Sequence, residues 1–307
     1  MHGVADHAKQ QPVTKQTLFE IGSVTKPLVG LLTALAVVNE QLTVDTKVAD
    51  LLRQPAYQQH QYTLAQLLAH QSGLPRLPEN FPLTDLTDPY AKYSNDDLMA
   101  ALQQVIPGEP HYEYSNLGYG LLAELVSQQQ DSGLAELLVQ QIFSPLGMEH
   151  STLAHTGGSF DSLAQGHHFD GSPSTNWQFD VMAGAGAVLS SIDDMVMLVQ
   201  HYLRATSSNS ETVGNKDDSS LAQAMRLTLT PATEAKTIGF GWILQPEGLV
   251  WHNGQTAGFN AFAGFAPAEQ VGIIILANHT SPVTPGAMAL LQQLQQQSST
   301  FNKEQTE

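Results

Sequence analysis

Ser23 and Lys26 stand three residues apart, just before the apolar segment Leu28–Val38. A serine hydroxyl is a poor nucleophile until a neighbouring base accepts its proton. Residues i and i+3 share one face of a helix, so the Lys26 amine can reach the Ser23 oxygen. Desolvation and the positive end of the helix dipole both disfavour a protonated amine there, which lets the lysine act as that base. The pair alone is weak evidence, because a surface lysine beside a helix start gives the same pattern.

A tyrosine and an asparagine further along the chain can complete such a site. Tyr114 and Asn116 lie at a turn that opens a predicted helix. A tyrosine phenol near a lysine can relay a proton, and an asparagine amide can hold both a substrate carbonyl and the lysine. A buried aromatic residue followed by a helix cap gives the same pattern, so this stretch is also ambiguous by itself.

The stretch "WHNGQTAGFN" places His252 and Gly254 at the end of a predicted strand. A glycine at this position lets a substrate backbone lie close against the strand. The N–H of Gln255 can then donate to a developing oxyanion, as can the free N–H groups at the helix start beside Ser23. The alternative is a hairpin turn built on the Asn-Gly pair.

The pattern of apolar residues predicts the elements that position these groups. A helix that is apolar nearly all round is predicted over Leu28–Glu40. Further helices are predicted over Thr63–Gln71, Asp96–Val105, Leu117–Gln129, Leu134–Phe143, Ser191–Arg204 and Ala287–Leu294. Before the last helix, "GFGWILQ", "LVWHN", "FNAFAGFA" and "VGIIILAN" are typical of sequential antiparallel strands. This order predicts an α+β fold, an antiparallel sheet flanked by helices with a mostly helical lobe inserted before the strands.

Composition excludes several function classes. The chain has 307 residues and a formal net charge of −17, from 29 acidic and 12 basic residues. Such a surface repels phosphate backbones, so we expect no nucleic-acid partner. The chain has no cysteine, which excludes thiol catalysis and zinc–thiolate sites. The longest apolar run is too short to cross a bilayer, so we expect no transmembrane segment.

Two other enzyme classes are disfavoured. The 12 histidines suggest a metal hydrolase, but there is no His-Glu-x-x-His motif. His167, His168 and Asp170 form the only tight cluster, and we interpret it as a loop because adjacent side chains diverge in regular structure. A dinucleotide fold is disfavoured because "GAGAVL" at Gly184 lacks the third glycine and a convincing βαβ unit. We expect neither a metal nor an organic cofactor.

Taken together and in this order, the three stretches resemble the motifs of the serine β-lactamase and penicillin-binding family. The pattern is most similar to the class C branch with its related esterases and D-stereospecific peptidases, whose Tyr-x-Asn motif is matched by "YSN". Flanking segments agree, among them "PVTKQTLFEIGSVTK", "LLAHQSGLP", "SPLGM" and "AGAGAVLSSIDDM". The resemblance runs from about His2 to Thr280, and three motifs with matching flanks are far more specific than one.

The resemblance implies a serine hydrolase that acts through an acyl-enzyme. Ser23 would be the nucleophile that is acylated. Lys26 and Tyr114 would share the work of the general base and then return a proton to the leaving group. Asn116 would orient the substrate carbonyl. A water, activated by Tyr114, would then release the product. The substrate would be a small molecule with a β-lactam, ester or D-amino-acid peptide bond.

The third motif would shape the other side of the site. The backbone N–H groups of Ser23 and Gln255 would form the oxyanion hole, and Gly254 would leave room for the substrate. His252 stands where many relatives carry a lysine, which offers a permanent cation to substrate carboxylates. A free histidine is only partly charged at neutral pH. We therefore expect a site that favours neutral esters or unusual peptides and turns over β-lactams slowly.

The start of the chain also departs from the resemblance. Relatives carry a leading helix and first strands before the segment that begins here at Gly3, so the resemblance implies a truncated chain. We expect an exposed sheet edge and lower stability, and an exposed edge also permits pairing between chains. The polar segment Met1–Gln11 has no secretory signal. A periplasmic or secreted location therefore follows from the resemblance only.

The domain organisation follows from the same pattern. We expect one catalytic domain over 1–307, with an α/β part at about 1–50 and 185–297 and a helical lobe at about 51–184. A polar stretch at 205–220 is interpreted as a flexible insertion and 298–307 as a polar tail. The alternative is a protein that has the site but does not turn over substrate. It would be a penicillin-binding or sensor module that is acylated and not deacylated, or an inactive truncated paralogue. Sequence does not separate acylation from deacylation.

Overall fold

The computed structural model describes residues 2–82, 87–155, 157–207 and 219–304. The fold is α+β, as predicted, with helices packed around antiparallel sheets. The helices are α1 (Thr25–Val38), α2 (Val48–Leu52), α3 (Leu64–Leu68), α4 (Asn95–Gln104), α5 (Asn116–Gln129), α6 (Leu134–Leu138), α7 (Ser144–Leu146), α8 (Ile192–Ala205), α9 (Ser220–Thr228) and α10 (Thr284–Glu304). The strands are β1 (Val4–Asp6), β2 (Gln11–Pro12), β3 (Phe19–Glu20), β4 (Thr152–Leu153), β5 (Val188–Ser190), β6 (Ile243–Leu244), β7 (Val250–Gln255), β8 (Asn260–Ala266) and β9 (Val271–Ala277).

The largest described sheet is antiparallel, with the strand order β6-β7-β8-β9. Strand β8 is buried along its whole length because its two faces pack against different helices. Successive side chains of a strand point to opposite faces. Phe262 accordingly packs with Leu291 of α10, whereas Phe265 packs with Tyr202 of α8. The predicted strands from "LVWHN" onward are present in this sheet.

The segment "GFGWILQ" is a strand only at Ile243–Leu244, so the prediction of a full strand is wrong. Gly241 has a φ of +86°, and a Cβ there would lie 2.6 Å from the Lys26 carbonyl oxygen. The N–H of Phe240 donates to the carbonyl of Thr228 rather than to a strand. Backbone packing against α1 and α9 therefore replaces sheet pairing over the first residues of this segment.

A small sheet with the order β3-β5-β4 leads into α1. Phe19 pairs with Ser190 and Glu20 pairs with Leu189, which fixes the position of the turn that follows β3. Helix α1 is buried from Thr25 to Ala36, because α5 and α6 of the lobe and α9 pack on it. It begins three residues before the predicted start at Leu28, so it already contains Lys26.

The predicted lobe helices are present with altered ends. Thr63 and Ser94 cap α3 and α4 through capping boxes, in which each side chain accepts from an N–H in the first turn. Helix α3 ends at Leu68 rather than at Gln71, because the chain turns at His70 with a φ of +57°. The predicted helix Leu134–Phe143 is divided into α6 and a π-helical turn at Val139–Phe143.

The C-terminal predictions are partly wrong. Helix α10 runs from Thr284 to Glu304, so most of the predicted polar tail at 298–307 is helical. Residues 208–218 of the predicted insertion lie outside the described residues, and the ends of that stretch belong to α8 and α9. No helix within the described ranges is long and apolar enough to cross a membrane.

Candidate active site

Ser23 and Lys26 meet where β3 passes into α1. Ser23 lies in a 3-10 turn at Gly22–Val24, and Lys26 belongs to the first turn of the helix. The Lys26 side chain is completely buried, with 0% of its surface exposed. Its Nζ lies 3.1 Å from Ser23 Oγ, 3.0 Å from Asn116 Oδ1 and 2.7 Å from the carbonyl oxygen of Ala185.

These three contacts orient the lysine amine as a base. Burial lowers the pKa of Lys26 well below its usual value, and the charge of Arg76 lowers it further. A neutral amine has two N–H groups and one lone pair. The oxygens of Asn116 and Ala185 can only accept hydrogen bonds, so they take the two N–H groups. The lone pair then faces Ser23 Oγ, which is the geometry for removing the serine proton.

Tyr114 lies against both of these side chains. The Lys26 Nζ is 4.8 Å from the centroid of the Tyr114 ring. Burial raises the pKa of Tyr114 to about 12, while a hydrogen bond with Ser23 and the charge of Arg76 act in the opposite direction. Tyr114 is therefore a neutral phenol near pH 7. It is placed to pass a proton along a hydrogen bond, but it is not a phenolate base.

His70 holds the segment that carries Tyr114 and Asn116. Its Nδ1 lies 3.1 Å from the backbone nitrogen of Ser115 and accepts that N–H. The centroid of its ring lies 4.5 Å from that of the Tyr114 ring, with the two planes tilted by 33°. Burial lowers the pKa of His70 well below its usual value, which keeps the ring neutral and Nδ1 able to accept. The Ser115 side chain caps α5 by accepting from the N–H of Gly118 at 2.8 Å.

Asn116 is fixed by two opposite hydrogen bonds. Its Oδ1 accepts from Lys26, and its Nδ2 donates to the hydroxyl of Tyr90 at 2.9 Å. The flip of the amide is therefore determined, with the nitrogen directed away from Lys26. The second N–H of the amide can still donate to a substrate carbonyl. Asn116 was predicted from the sequence, whereas Tyr90, which lies in a loop 26 residues earlier, was not.

The end of β7 packs directly on the turn that holds Ser23. A Cβ on Gly254 would collide with the Ile21 carbonyl oxygen and lie 3.0 Å from the Ser23 nitrogen. Gly22 has a φ of +51°, and a Cβ there would lie 2.8 Å from the Gln255 nitrogen. Glycine is thus required on both sides of this backbone contact. The contact brings the main chains of Ser23 and Gln255 together, as two donors to one oxyanion would need.

His252 is a buried, neutral residue next to Tyr114. Only 2% of its surface is exposed, and its ring centroid lies 6.3 Å from that of Tyr114. Burial lowers the pKa of His252 to about 3, and the charge of Lys26 adds to the effect. Its Nδ1 lies 2.6 Å from the carbonyl oxygen of Asn253, to which it donates. His252 therefore supplies no positive charge.

A cavity opens beside Ser23. It is lined by Gly22, Ser23, Arg76, Tyr90, Asn116, Trp177, Phe179, Ala185, Gly186 and Gln255. Tyr90 stacks on Phe179 at 4.8 Å between ring centroids and makes one aromatic wall. Arg76 is the cation of this lining, and sequence reasoning missed it because no motif marks it.

The candidate metal ligands do not converge. Within the part of the chain that the structure describes, no group of three or more His, Asp or Glu side chains is arranged to hold a metal ion. In the predicted loop, the Asp170 carboxylate accepts from the backbone and hydroxyl of Ser172, and His167 Nδ1 lies 3.2 Å from the carbonyl oxygen of Asn278.

Comparison with known proteins identifies the family. The family model for Beta-lactamase matches residues 1–297. A β-lactamase of Pseudomonas fluorescens is 26% identical, with 92% of this chain and 85% of that protein aligned. A β-lactamase of Escherichia coli strain K12 is also 26% identical, with 91% and 80% aligned. The chain is 25% identical to an unguisins hydrolase of Aspergillus campestris over 92% of this chain and 56% of that protein.

The fold points the same way. A class C β-lactamase structure superposes with a TM-score of 0.75 at 23% identity, covering 91% of this chain and 82% of that one. The chain therefore belongs to the β-lactamase family, and its fold is that of the class C enzymes. The predicted family and fold class are thereby confirmed, and membership supports a function of the serine hydrolase type.

Proposed function

We propose that the chain is a serine hydrolase that forms an acyl-enzyme on Ser23, within one catalytic domain. The observation that carries the proposal is the buried Lys26 amine, whose Nζ lies within hydrogen-bond distance of Ser23 Oγ, Asn116 Oδ1 and the Ala185 carbonyl oxygen. Substrates would be small molecules with an ester, a β-lactam or a D-peptide bond. Family membership also favours a periplasmic or secreted location.

The first half of the reaction forms the acyl-enzyme. Ser23 Oγ attacks the carbonyl carbon as its proton passes to Lys26 Nζ, and the negative charge that develops on the carbonyl oxygen is held by the N–H groups of Ser23 and Gln255. The intermediate collapses when the bond to the leaving group breaks. The proton returns from Lys26 through the neutral hydroxyl of Tyr114 to the leaving group.

The second half repeats the same steps with water. A water attacks the acyl carbonyl and gives its proton to the base formed by Lys26 and Tyr114. Because Tyr114 has a raised pKa, Lys26 is the group that holds the proton and Tyr114 the group that conducts it. The bond to Ser23 Oγ then breaks, and Ser23 recovers its proton. No step uses His252 as a charge.

The test compares hydrolysis of a short-chain p-nitrophenyl ester and a chromogenic cephalosporin by the native protein and by Ser23→Ala. Ser281→Ala is the matched control, since Ser281 is an exposed serine far from α1 in the chain. We expect ester turnover that is lost only in Ser23→Ala. Turnover that survives in Ser23→Ala would refute the nucleophile. A stable acyl adduct on Ser23 without turnover, seen by mass spectrometry, would instead indicate the penicillin-binding or sensor module.

A further inference from the structure

Arg76 brings a permanent positive charge to the cleft beside Ser23. Lys26 is held towards its neutral form by burial, and His252 is neutral. Among the described residues that line the cavity beside Ser23, Arg76 is the remaining cation. A guanidinium stays charged at any physiological pH. The position is unusual because the chain as a whole has a net charge of −17.

The backbone of Arg76 is fixed to the catalytic segment. Its carbonyl oxygen accepts from the backbone nitrogens of Asn116 at 3.0 Å and Leu117 at 3.2 Å. The first turn of α5 therefore holds the loop that carries Arg76. Its guanidinium carbon lies 5.1 Å from the centroid of the Tyr114 ring, where a cation is attracted to the aromatic face. The Arg76 charge therefore lies next to Tyr114, which itself contacts Ser23.

Arg76 has no carboxylate partner in the described part of the chain. An ion pair found there joins Lys9 to Asp6, and the close histidine–carboxylate contacts join His111 to Glu113 and His150 to Asp194; none of them involves Arg76. The Arg76 side chain is exposed to solvent, so its charge can be reached from the cleft. A planar guanidinium matches the two oxygens of a carboxylate. Among the residues that the structure describes, no carboxylate competes for Arg76, so its guanidinium is available to an anion from outside.

We propose that Arg76 is a specificity-determining residue that binds a carboxylate of the substrate while Ser23 attacks a carbonyl a few bonds away. The proposal rests on the proposed hydrolase function and assigns the recognition of a carboxylate close to the cleaved bond to Arg76, a residue outside the three motifs. It reverses the sequence-based expectation that neutral His252 makes the site favour neutral substrates. The charge that His252 lacks is supplied by Arg76, whose guanidinium carbon also lies near the Tyr114 ring, 5.1 Å from its centroid.

The test compares two esters that differ by one carboxylate, p-nitrophenyl butyrate and the mono-p-nitrophenyl ester of glutaric acid. For each enzyme, the measured quantity is kcat/KM for the glutarate ester divided by kcat/KM for the butyrate ester. We expect Arg76→Gln to lower this ratio by about tenfold. This is a small effect for the loss of a hydrogen bond to a charged group, because solvent screens the exposed Arg76 side chain. We expect Arg76→Lys to retain part of the ratio.

Arg204→Gln is the matched control. It removes the same side chain from the far end of α8, where Arg204 lines a different surface cavity, and should leave the ratio at its native value. Salt provides a second readout. Raising the ionic strength from about 0.05 M to about 0.5 M should lower the native ratio and leave that of Arg76→Gln nearly constant. An equal loss on both esters, or an unchanged ratio in Arg76→Gln, would overturn the proposal.

A binding measurement separates this proposal from the proposed function. Phenylboronic acid and 3-carboxyphenylboronic acid both add reversibly to a nucleophilic serine, and calorimetry measures their affinities without turnover. We expect the carboxylated compound to bind about tenfold more tightly to the native protein and equally tightly to Arg76→Gln. Equal binding of both compounds by the native protein would overturn the role of Arg76 alone. Binding or turnover that persists in Ser23→Ala would overturn the hydrolase function itself.

Discussion

The most quantitative prediction concerns Glu20, a buried carboxyl group at the end of β3, three residues before Ser23. Only 3% of the residue is exposed, and Oε1 accepts from the backbone nitrogen of Trp177 at 2.9 Å. Burial raises the pKa of Glu20 from 4.5 to about 7, and the charge of Asp88 acts in the same direction. The nearby Thr256 hydroxyl lowers the pKa, although Glu20 Oε2 and Thr256 Oγ1 do not meet with good hydrogen-bond geometry.

The cost of this burial depends on pH in a defined direction. The folded protein keeps the Glu20 proton up to about pH 7, whereas the unfolded chain loses it near pH 4.5. The folded state therefore binds more protons in that window, so the contribution of Glu20 to the free energy of unfolding falls as the pH rises through it. A difference of about 2.5 pH units corresponds to about 3 kcal/mol, reached in full above pH 7.

Glu20→Gln removes the charge but keeps an acceptor for the Trp177 N–H. We expect the variant to be about 2–3 kcal/mol more stable than the native protein at pH 8 and nearly equal to it at pH 4.5. Urea unfolding followed by tryptophan fluorescence at both values measures this difference. Glu79→Gln, at an exposed glutamate, is the matched control and should leave the free energy of unfolding unchanged at both pH values. A Glu20→Gln difference that is the same at both pH values would refute the reasoning.

Three further predictions concern the reaction. Lys26→Met should lower kcat by about 10²–10⁴-fold, because methionine has a similar length but no amine to act as the base, and Ser23 stays in place. A fall in kcat of less than tenfold, measured by steady-state kinetics, would contradict this. Gly254→Ala should lower kcat by at least about tenfold with a smaller change in KM, because the new methyl group pushes β7 away from the Ile21 carbonyl; an unchanged kcat would refute the close backbone contact. His252→Lys should raise kcat/KM for carboxylate-bearing substrates, and the absence of a gain would count against the role assigned to position 252.

The sequence predicted the parts of the site that lie within short motifs. Ser23 and Lys26 are neighbours because three residues make nearly one helical turn, and this follows from the spacing alone. The strand of "WHNGQTAGFN" and the helix after Tyr114 were recognisable from local patterns of glycine and apolar residues. Family membership, which rests on the same stretches, is confirmed.

The remaining groups of the site could not be predicted because the tertiary fold brings them in. The carbonyl of Ala185 reaches Lys26 from 159 residues away, and a main-chain group leaves no mark in sequence. Tyr90 and Arg76 come from loops in which many side chains are compatible with the turns. Glu20 lies three positions before Ser23 in the sequence, but its raised pKa comes from burial, which only the folded protein shows. Burial of a polar group is the property that single-sequence reasoning determines least well.

Arg76 also affects the base, and this gives a prediction with a fixed sign. Burial is the main cause of the lowered pKa of Lys26, and the charge of Arg76 is the second cause. His70 and His252 are neutral and add no charge. Removing the charge in Arg76→Gln should therefore raise the pKa of Lys26, so that a higher pH is needed to deprotonate the base. The acidic limb of kcat/KM for the neutral butyrate ester should move to higher pH in Arg76→Gln and stay in place in Arg204→Gln. A bound carboxylate would cancel the same charge, and Lys26 would become a stronger base at the moment when the Ser23 proton must be taken. An acidic limb that stays in place or moves to lower pH would show that Arg76 does not act on Lys26.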